Sequence, residues 1–240
     1  MSKLATWLFG LLAISHLLAE YFSHSVAIYA TKPLLLLSLA FIFHRSINGL
    51  QRLSERWLIA GLFFSCGGDV FLMFSSGPSG SPFFISGLSS FLIAHICYIL
   101  AFYHFTPRGI RIHLLAALLF YVIAISLVIY LWPALDSVMR IVVSVYALTI
   151  STMGIFAYGS YQKLPFRAAT FLLLGAMSFI FSDSIIALNK FGVGLNIWMP
   201  RITIMSSYIL AQFLIVSGAI LASSSQRALD SSGIAASPNR

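Results

Sequence analysis

Residues 113–132 read HLLAALLFYVIAISLVIYLW, a stretch with no Lys, Arg, Asp or Glu. Coiled as a helix it spans about 30 Å, the thickness of a bilayer's hydrocarbon core. No water is available there to satisfy backbone N–H and C=O groups, so each must bond within its own segment, which a helix does. The barrel alternative needs short alternating strands, and this unbroken Leu/Ile/Ala run does not alternate. Outward from it lie seven more such runs: 4–22, 26–43, 57–74, 83–105, 138–161, 167–189 and 199–222. With 60% hydrophobic residues, 8% charged residues and a mean hydropathy of +0.96, the chain lacks the polar surface a water-soluble domain needs. The expected fold is an all-α membrane protein, a bundle of eight transmembrane helices over residues 1–222. A flexible cytoplasmic tail is expected over 223–240, where Ser, Ala and Asn dominate.

The net charge of +8 comes from basic residues scattered through short connections, with no basic face interleaved with aromatics, so nucleic acid is not an expected partner. Membrane topology accounts for the charge better. The N-terminus, the second, fourth and sixth connections and the tail carry Lys3, Arg45, Arg52, Arg56, Arg108, Arg111, Lys163, Arg167, Arg227 and Arg240. The opposite side carries Arg140, Lys190 and Arg201, so both termini are expected in the cytoplasm. The first run has the basic start of a signal peptide, but His16 and Glu20 in its far end favour a retained helix. A bacterial cytoplasmic membrane is the expected location. Cys66 and Cys97 lie inside apolar runs and read as packing residues, neither a disulfide framework nor a CxxC motif.

Ionisable groups within a span cost a few kcal/mol to insert, so each is a functional hypothesis. They are His16 and Glu20 on helix 1, Lys32 on helix 2, Asp69 on helix 3, His95 on helix 4 and Asp183 on helix 7. Tyr98, Tyr146, Ser182, Tyr208 and Gln212 add neutral polar groups. In the topology above, Glu20, Asp69 and Asp183 fall late in outward spans and Lys32 early in an inward one. The set therefore converges on the non-cytoplasmic half of the bundle. Plainer readings exist for several members. Lys32 either snorkels to the interface or balances Asp69 or Asp183, and His16 and Glu20, at i and i+4, either pair with each other or join the site. His95 either bonds a neighbouring serine or carbonyl or lines a pocket, and Tyr98 and Tyr146 serve as packing residues or ligands. The aspartates have the weakest plain reading, because neither has a basic residue within a turn on its own helix. Gly67-Gly68 before Asp69 and Gly175-Ala176 before Asp183 allow close helix approach. Lys32 precedes Asp69 by the same interval as Tyr146 precedes Asp183, with His95 and Tyr208 following at nearly equal intervals, an echo that fits two four-helix repeats in parallel orientation.

These residues resemble the lysoplasmalogenase-like family of membrane proteins known as YhhN. The likeness rests on Thr31-Lys32-Pro33, Gly67-Gly68-Asp69-Val70-Phe71-Leu72-Met73, Phe84 to Gly87, Phe91, Ala94-His95-Ile96-Cys97-Tyr98, Tyr146 with Met153, Gly175-Ala176, Ser182-Asp183-Ser184 and Tyr208 to Gln212. The resemblance implies an eight-helix hydrolase of lysoplasmalogens, releasing a fatty aldehyde and glycerophosphoethanolamine or glycerophosphocholine. Its two acidic positions fall on Asp69 and Asp183. The chemistry agrees: a vinyl ether is cleaved by protonation at its β-carbon, giving an oxocarbenium ion that water captures. One carboxyl holding a proton and one ionised carboxylate suffice, as in glycosidases. Asp69 and Asp183 are the expected catalytic pair. Lys32, His95, Tyr98, Tyr146, Ser182, Tyr208 and Gln212 are expected to bind a lysophospholipid substrate, with His16 and Glu20 as secondary candidates. No cofactor and no metal is assigned.

Two other classes fit part of the pattern. Intramembrane Asp, Lys and His at a repeat interface also describe a transporter or proton-coupled carrier. A metal-dependent membrane lipid hydrolase would use His16, Glu20, His95 and the aspartates as ligands.

Overall fold

A computed structural model of the chain describes residues 3–47, 49–75, 82–106, 111–192 and 197–231. Within them run eight α-helices: α1 (Lys3–Tyr21), α2 (Ser25–Ser46), α3 (Leu53–Met73), α4 (Pro82–Phe105), α5 (Leu114–Leu131), α6 (Ser137–Gly159), α7 (Phe166–Phe191) and α8 (Pro200–Ser231). All eight are long and apolar enough to cross a membrane, so the all-α membrane bundle read from the sequence is the fold. Arg108 and Arg240 of the topology argument lie outside the described residues.

Local chemistry fixes the helix starts. Asp136 caps α6, accepting from Val138 N and Met139 N at 2.9 Å each. Glu55 in the first turn of α3 accepts from the backbone N–H groups of Gln51 and Arg52 at 3.0 Å. Pro82 and Pro200 open α4 and α8, where a missing N–H costs nothing. Leu114, Leu118, Leu119, Ile125 and Ile129 of α5 stand exposed on the outside of the bundle, as a lipid-facing surface requires.

Packing repeats along the chain. The most extensive interfaces are α3 on α4 and α7 on α8, each the third and fourth helix of its half. Both depend on glycine. A Cβ on Gly68 would meet the Phe91 ring at 2.6 Å, and one on Gly175 would meet Ala211 O and Ile215 N, backbone atoms of α8, at 3.0 Å. The halves cross-pack, α4 against α6 and α8 against α2, while α5 touches little beyond α6.

The tail boundary expected at 223 falls inside α8, which continues to Ser231. Polar contacts hold this extension. Gln226 donates to the Phe105 carbonyl, Arg227 pairs with Glu55 at 2.8 Å, and Arg52 pairs with Asp230. A composition too polar to pack in lipid is thus paired at the bundle end. Residues 232–240 lie outside the described residues.

Candidate functional site

Asp69 stands four residues before the end of α3, about 6 Å below it. Its side chain is 3% exposed and is held from two sides. Lys32 Nζ lies 3.4 Å from Oδ1, and the Tyr208 hydroxyl donates to Oδ2 at 2.8 Å. Pro33 inside α2 removes a backbone N–H one residue after Lys32, loosening the helix at the lysine.

Asp183 stands eight residues before the end of α7, deeper by about one turn. Its side chain keeps 10% of its surface exposed. The Tyr146 hydroxyl donates to Oδ2, and His95 Nε2 lies 3.8 Å from the same oxygen, beyond hydrogen-bond reach. His95 is fully buried, and neither ring nitrogen has a hydrogen-bond partner among the described residues. Among these residues no lysine or arginine forms an ion pair with Asp183. The two carboxyl groups therefore differ: each accepts from a tyrosine, but Asp69 also faces an ammonium and Asp183 an imidazole.

Each carboxyl is flanked by one residue of its own half and one of the other. Lys32 and Tyr208 flank Asp69, whereas Tyr146 and His95 flank Asp183. The Lys32–Asp69 and Tyr146–Asp183 intervals are thus contacts within each half, whereas His95 and Tyr208 each approach the aspartate of the other half. Phe179 fills the space between the two clusters, its ring centroid 4.7 Å from His95 and 5.4 Å from Tyr208.

Adjoining cavities meet at Asp183. A space of about 270 Å³ between α5, α6 and α7, walled by Phe120, Leu127, Ile150 and Ile180, reaches Tyr146 and Asp183. On its outer side it shares Ala124, Val128 and Ala147 with an apolar groove of about 480 Å³ between α5 and α6. Towards the bundle interior, a pocket of about 50 Å³ also takes Tyr146 and Asp183 as walls. Across Leu72, Phe84 and Ile186 that pocket borders a polar vestibule of about 430 Å³, which Lys32 lines.

Residues 27–219 match the family model described as YhhN family. The chain belongs to the YhhN family. It is 32% identical over 170 residues to Lysoplasmalogenase TMEM86A of Bos taurus, covering 68% of this chain and 65% of that protein. It is 31% identical over 167 residues to the Lysoplasmalogenase of Mycobacterium bovis, covering 68% of this chain and 60% of that protein. The chain thus spans somewhat less than two thirds of the length of these relatives. No solved structure matches it.

In this YhhN protein Lys32, Asp69 and Tyr208 form one cluster and His95, Tyr146 and Asp183 another, with Phe179 between them. Among the described residues, the other expected ones form no hydrogen bond or ion pair with either carboxyl. Tyr98 donates to Gln212 Oε1 at 2.7 Å and meets Ser65 at 3.4 Å, one layer inward. Ser182 donates to the Ile204 carbonyl at 3.1 Å, tying α7 to α8. His16 bonds Thr31 at 2.8 Å and lies 3.7 Å from Glu20, whose stronger partner is Arg201 at 2.7 Å. Among the described residues no three His, Cys, Asp or Glu side chains gather closely enough to hold one ion. Sequence reading missed Phe179 and Arg201. An apolar residue in an apolar run carries no signal, and Arg201 had been counted as a topology residue at a helix end.

Proposed function

We propose that this protein hydrolyses the vinyl ether bond of lysoplasmalogens, giving a fatty aldehyde and a glycerophospho-head group, with Asp183 as general acid and Asp69 as the ionised partner. The observation that carries the reading is the position of Asp183. Among the described residues Asp183 pairs with no lysine or arginine, and it sits where an apolar cavity meets the route to a polar vestibule. An amphiphile with a reactive bond between tail and head group fits that sequence of spaces, its alkenyl chain among α5, α6 and α7. The names of the relatives at about one-third identity point the same way.

In this mechanism the Asp183 carboxyl delivers its proton to the β-carbon of the vinyl ether, and the electron pair of the C=C bond forms the new C–H bond. The resulting oxocarbenium ion is stabilised by the negative charge of Asp69. Water adds to the α-carbon, returning a proton to Asp183, and the hemiacetal collapses to aldehyde and glycerol hydroxyl. His95, whose ring nitrogens have no hydrogen-bond partner among the described residues and one of which faces Asp183, is placed to orient that water. Tyr146 fixes the acid, and Tyr208 and Lys32 fix the anion. Both termini are assigned to the cytoplasm, which draws the lipid from the non-cytoplasmic leaflet.

The test is aldehyde release by purified protein in detergent from an alkenyl lysophospholipid beside its acyl and alkyl analogues. Aldehyde from the alkenyl lipid alone is expected. Its absence with folded protein and either head group, together with accumulation of intact solute in sealed vesicles, would replace hydrolysis by transport.

A further inference from the structure

The bundle end nearest the two carboxyl groups has few basic residues: Arg140, Lys190 and Arg201 on the sequence count, with Lys32 a little deeper. Arg140 is held against the Trp132 ring, 5.0 Å from its centroid. The other three converge on one place. Lys32, Lys190 and Arg201 all line the vestibule of about 430 Å³, where Glu20 is the one carboxylate in the wall among the described residues. Tyr29, Ser25 and Asn189 add neutral polar groups. Cations in such a cavity, walled by helix ends, focus positive potential on whatever enters it.

Part of that charge is held in place. Arg201 donates through Nε to Glu20 at 2.8 Å and through Nη1 to Ser23 at 3.2 Å. Ser23 and Met199 have φ of +54° and +43°, in the left-handed region, on either side of this bridge. Such conformations cost of order 1–3 kcal/mol and persist where surrounding contacts fix them. Lys190 Nζ lies 4.9 Å from the ring centroid of Phe84, which walls both the vestibule and the pocket at Asp183.

We infer that the vestibule is the binding site for the phosphodiester of a lysophospholipid head group, with Lys190, Arg201 and Lys32 as its cationic ligands. This rests on the lysophospholipid reading above and adds two phosphate-binding residues, Lys190 and Arg201. Spacing supports it. Asp183 and Lys190 are seven residues apart on α7, two turns along one face and about 10.5 Å in rise. The lysine stem shortens that gap to the scale of the glycerol bridge between a phosphate and an sn-1 vinyl ether. Lys32 gains a double role: a phosphate drawing on its ammonium leaves more of the Asp69 charge to face the oxocarbenium ion.

The test uses the full chain in detergent, wild type and Lys190→Gln, with an alkenyl lysophospholipid and with a 1-alkenylglycerol that lacks phosphate. The ratio of their KM values is expected to rise about tenfold in the variant, the size of one lost charge-assisted contact. An unchanged ratio overturns the assignment, because a merely structural lysine affects both substrates alike. Binding is read separately as the thermal shift given by a non-hydrolysable alkyl lysophospholipid, which is expected to be smaller in Lys190→Gln than in wild type. That shift supports the site even if no aldehyde forms, in which case the hydrolase reading falls and the phosphate site stands. A Lys190-dependent shift of the same size with inorganic phosphate alone overturns the head-group assignment in favour of a small-anion site.

Discussion

Lys32 Nζ lies 3.4 Å from Asp69 Oδ1, joining α2 to α3, and in the second half of the chain Tyr146 takes the corresponding place against Asp183. Both carboxyls accept from a tyrosine, and they differ in the second neighbour, the Lys32 ammonium at Asp69 and the His95 imidazole, 3.8 Å away, at Asp183. That difference is the basis on which Asp69 is proposed as the anion and Asp183 as the acid.

Replacing Lys32 by Met removes the countercharge of a carboxylate that is 3% exposed. Breaking one side of a buried pair costs about 3–5 kcal/mol, whereas removing both sides costs much less. Lys32→Met is therefore expected to lower stability by about 3 kcal/mol, and Lys32→Met combined with Asp69→Asn to recover more than half of it. Denaturant unfolding in detergent of the two single variants and the double variant measures the coupling. Additive losses would show that the two groups do not act as a pair.

Tyr146→Phe keeps the ring that packs against His95, with centroids 5.2 Å apart, and deletes the hydroxyl that donates to Asp183. The expected result is a kcat lower by about 10- to 100-fold with KM within threefold, because the hydroxyl orients the acid and does not bind the lipid. Steady-state aldehyde kinetics decide it, and an equal change in KM would move Tyr146 to substrate binding.

Ala147 lines both the cavity at Asp183 and the outer groove between α5 and α6. Ala147→Phe fills the junction between them. Turnover of long alkenyl chains is expected to fall at least tenfold relative to chains of four to six carbons, measured as kcat/KM across a chain-length series. Equal losses at all lengths would place the tail elsewhere.

Gly175→Leu forces side-chain atoms into the α8 backbone, since even a Cβ would stand 3.0 Å from Ala211 O and Ile215 N. Overpacking of this kind costs about 1–3 kcal/mol, and here rigid backbone sets the upper end. A lower unfolding temperature in detergent is expected, with activity lost in step because α7 carries Asp183 and α8 carries Tyr208.

How much of this could be read beforehand follows from what each residue signals. All eight helices were legible, because twenty apolar residues in a row have one stable form in lipid. Asp69 and Asp183 were legible for the same reason in reverse, as charges where charge is costly. Whether Lys32 served Asp69, Asp183 or the interface was not, because pairing is set by how α2 lies on α3. The tail was expected from 223 because Ser, Ala and Asn dominate there, and the partners that hold Gln226 and Arg227 in α8, the Phe105 carbonyl and Glu55, are distant in sequence. Tyr98 and Gln212 looked like the other polar intruders, yet they bond one another a layer inward. Depth along a helix was readable, but the direction a side chain faces was not.

The carboxylate pair is tested most directly by aldehyde release from an alkenyl lysophospholipid by wild type, Asp69→Asn and Asp183→Asn, each shown to be monodisperse and helical in detergent. Both variants are expected to fall by at least about 100-fold in kcat, as loss of a general acid or of its electrostatic partner requires. Near-wild-type turnover in Asp183→Asn, the carboxyl assigned as proton donor, would contradict the account.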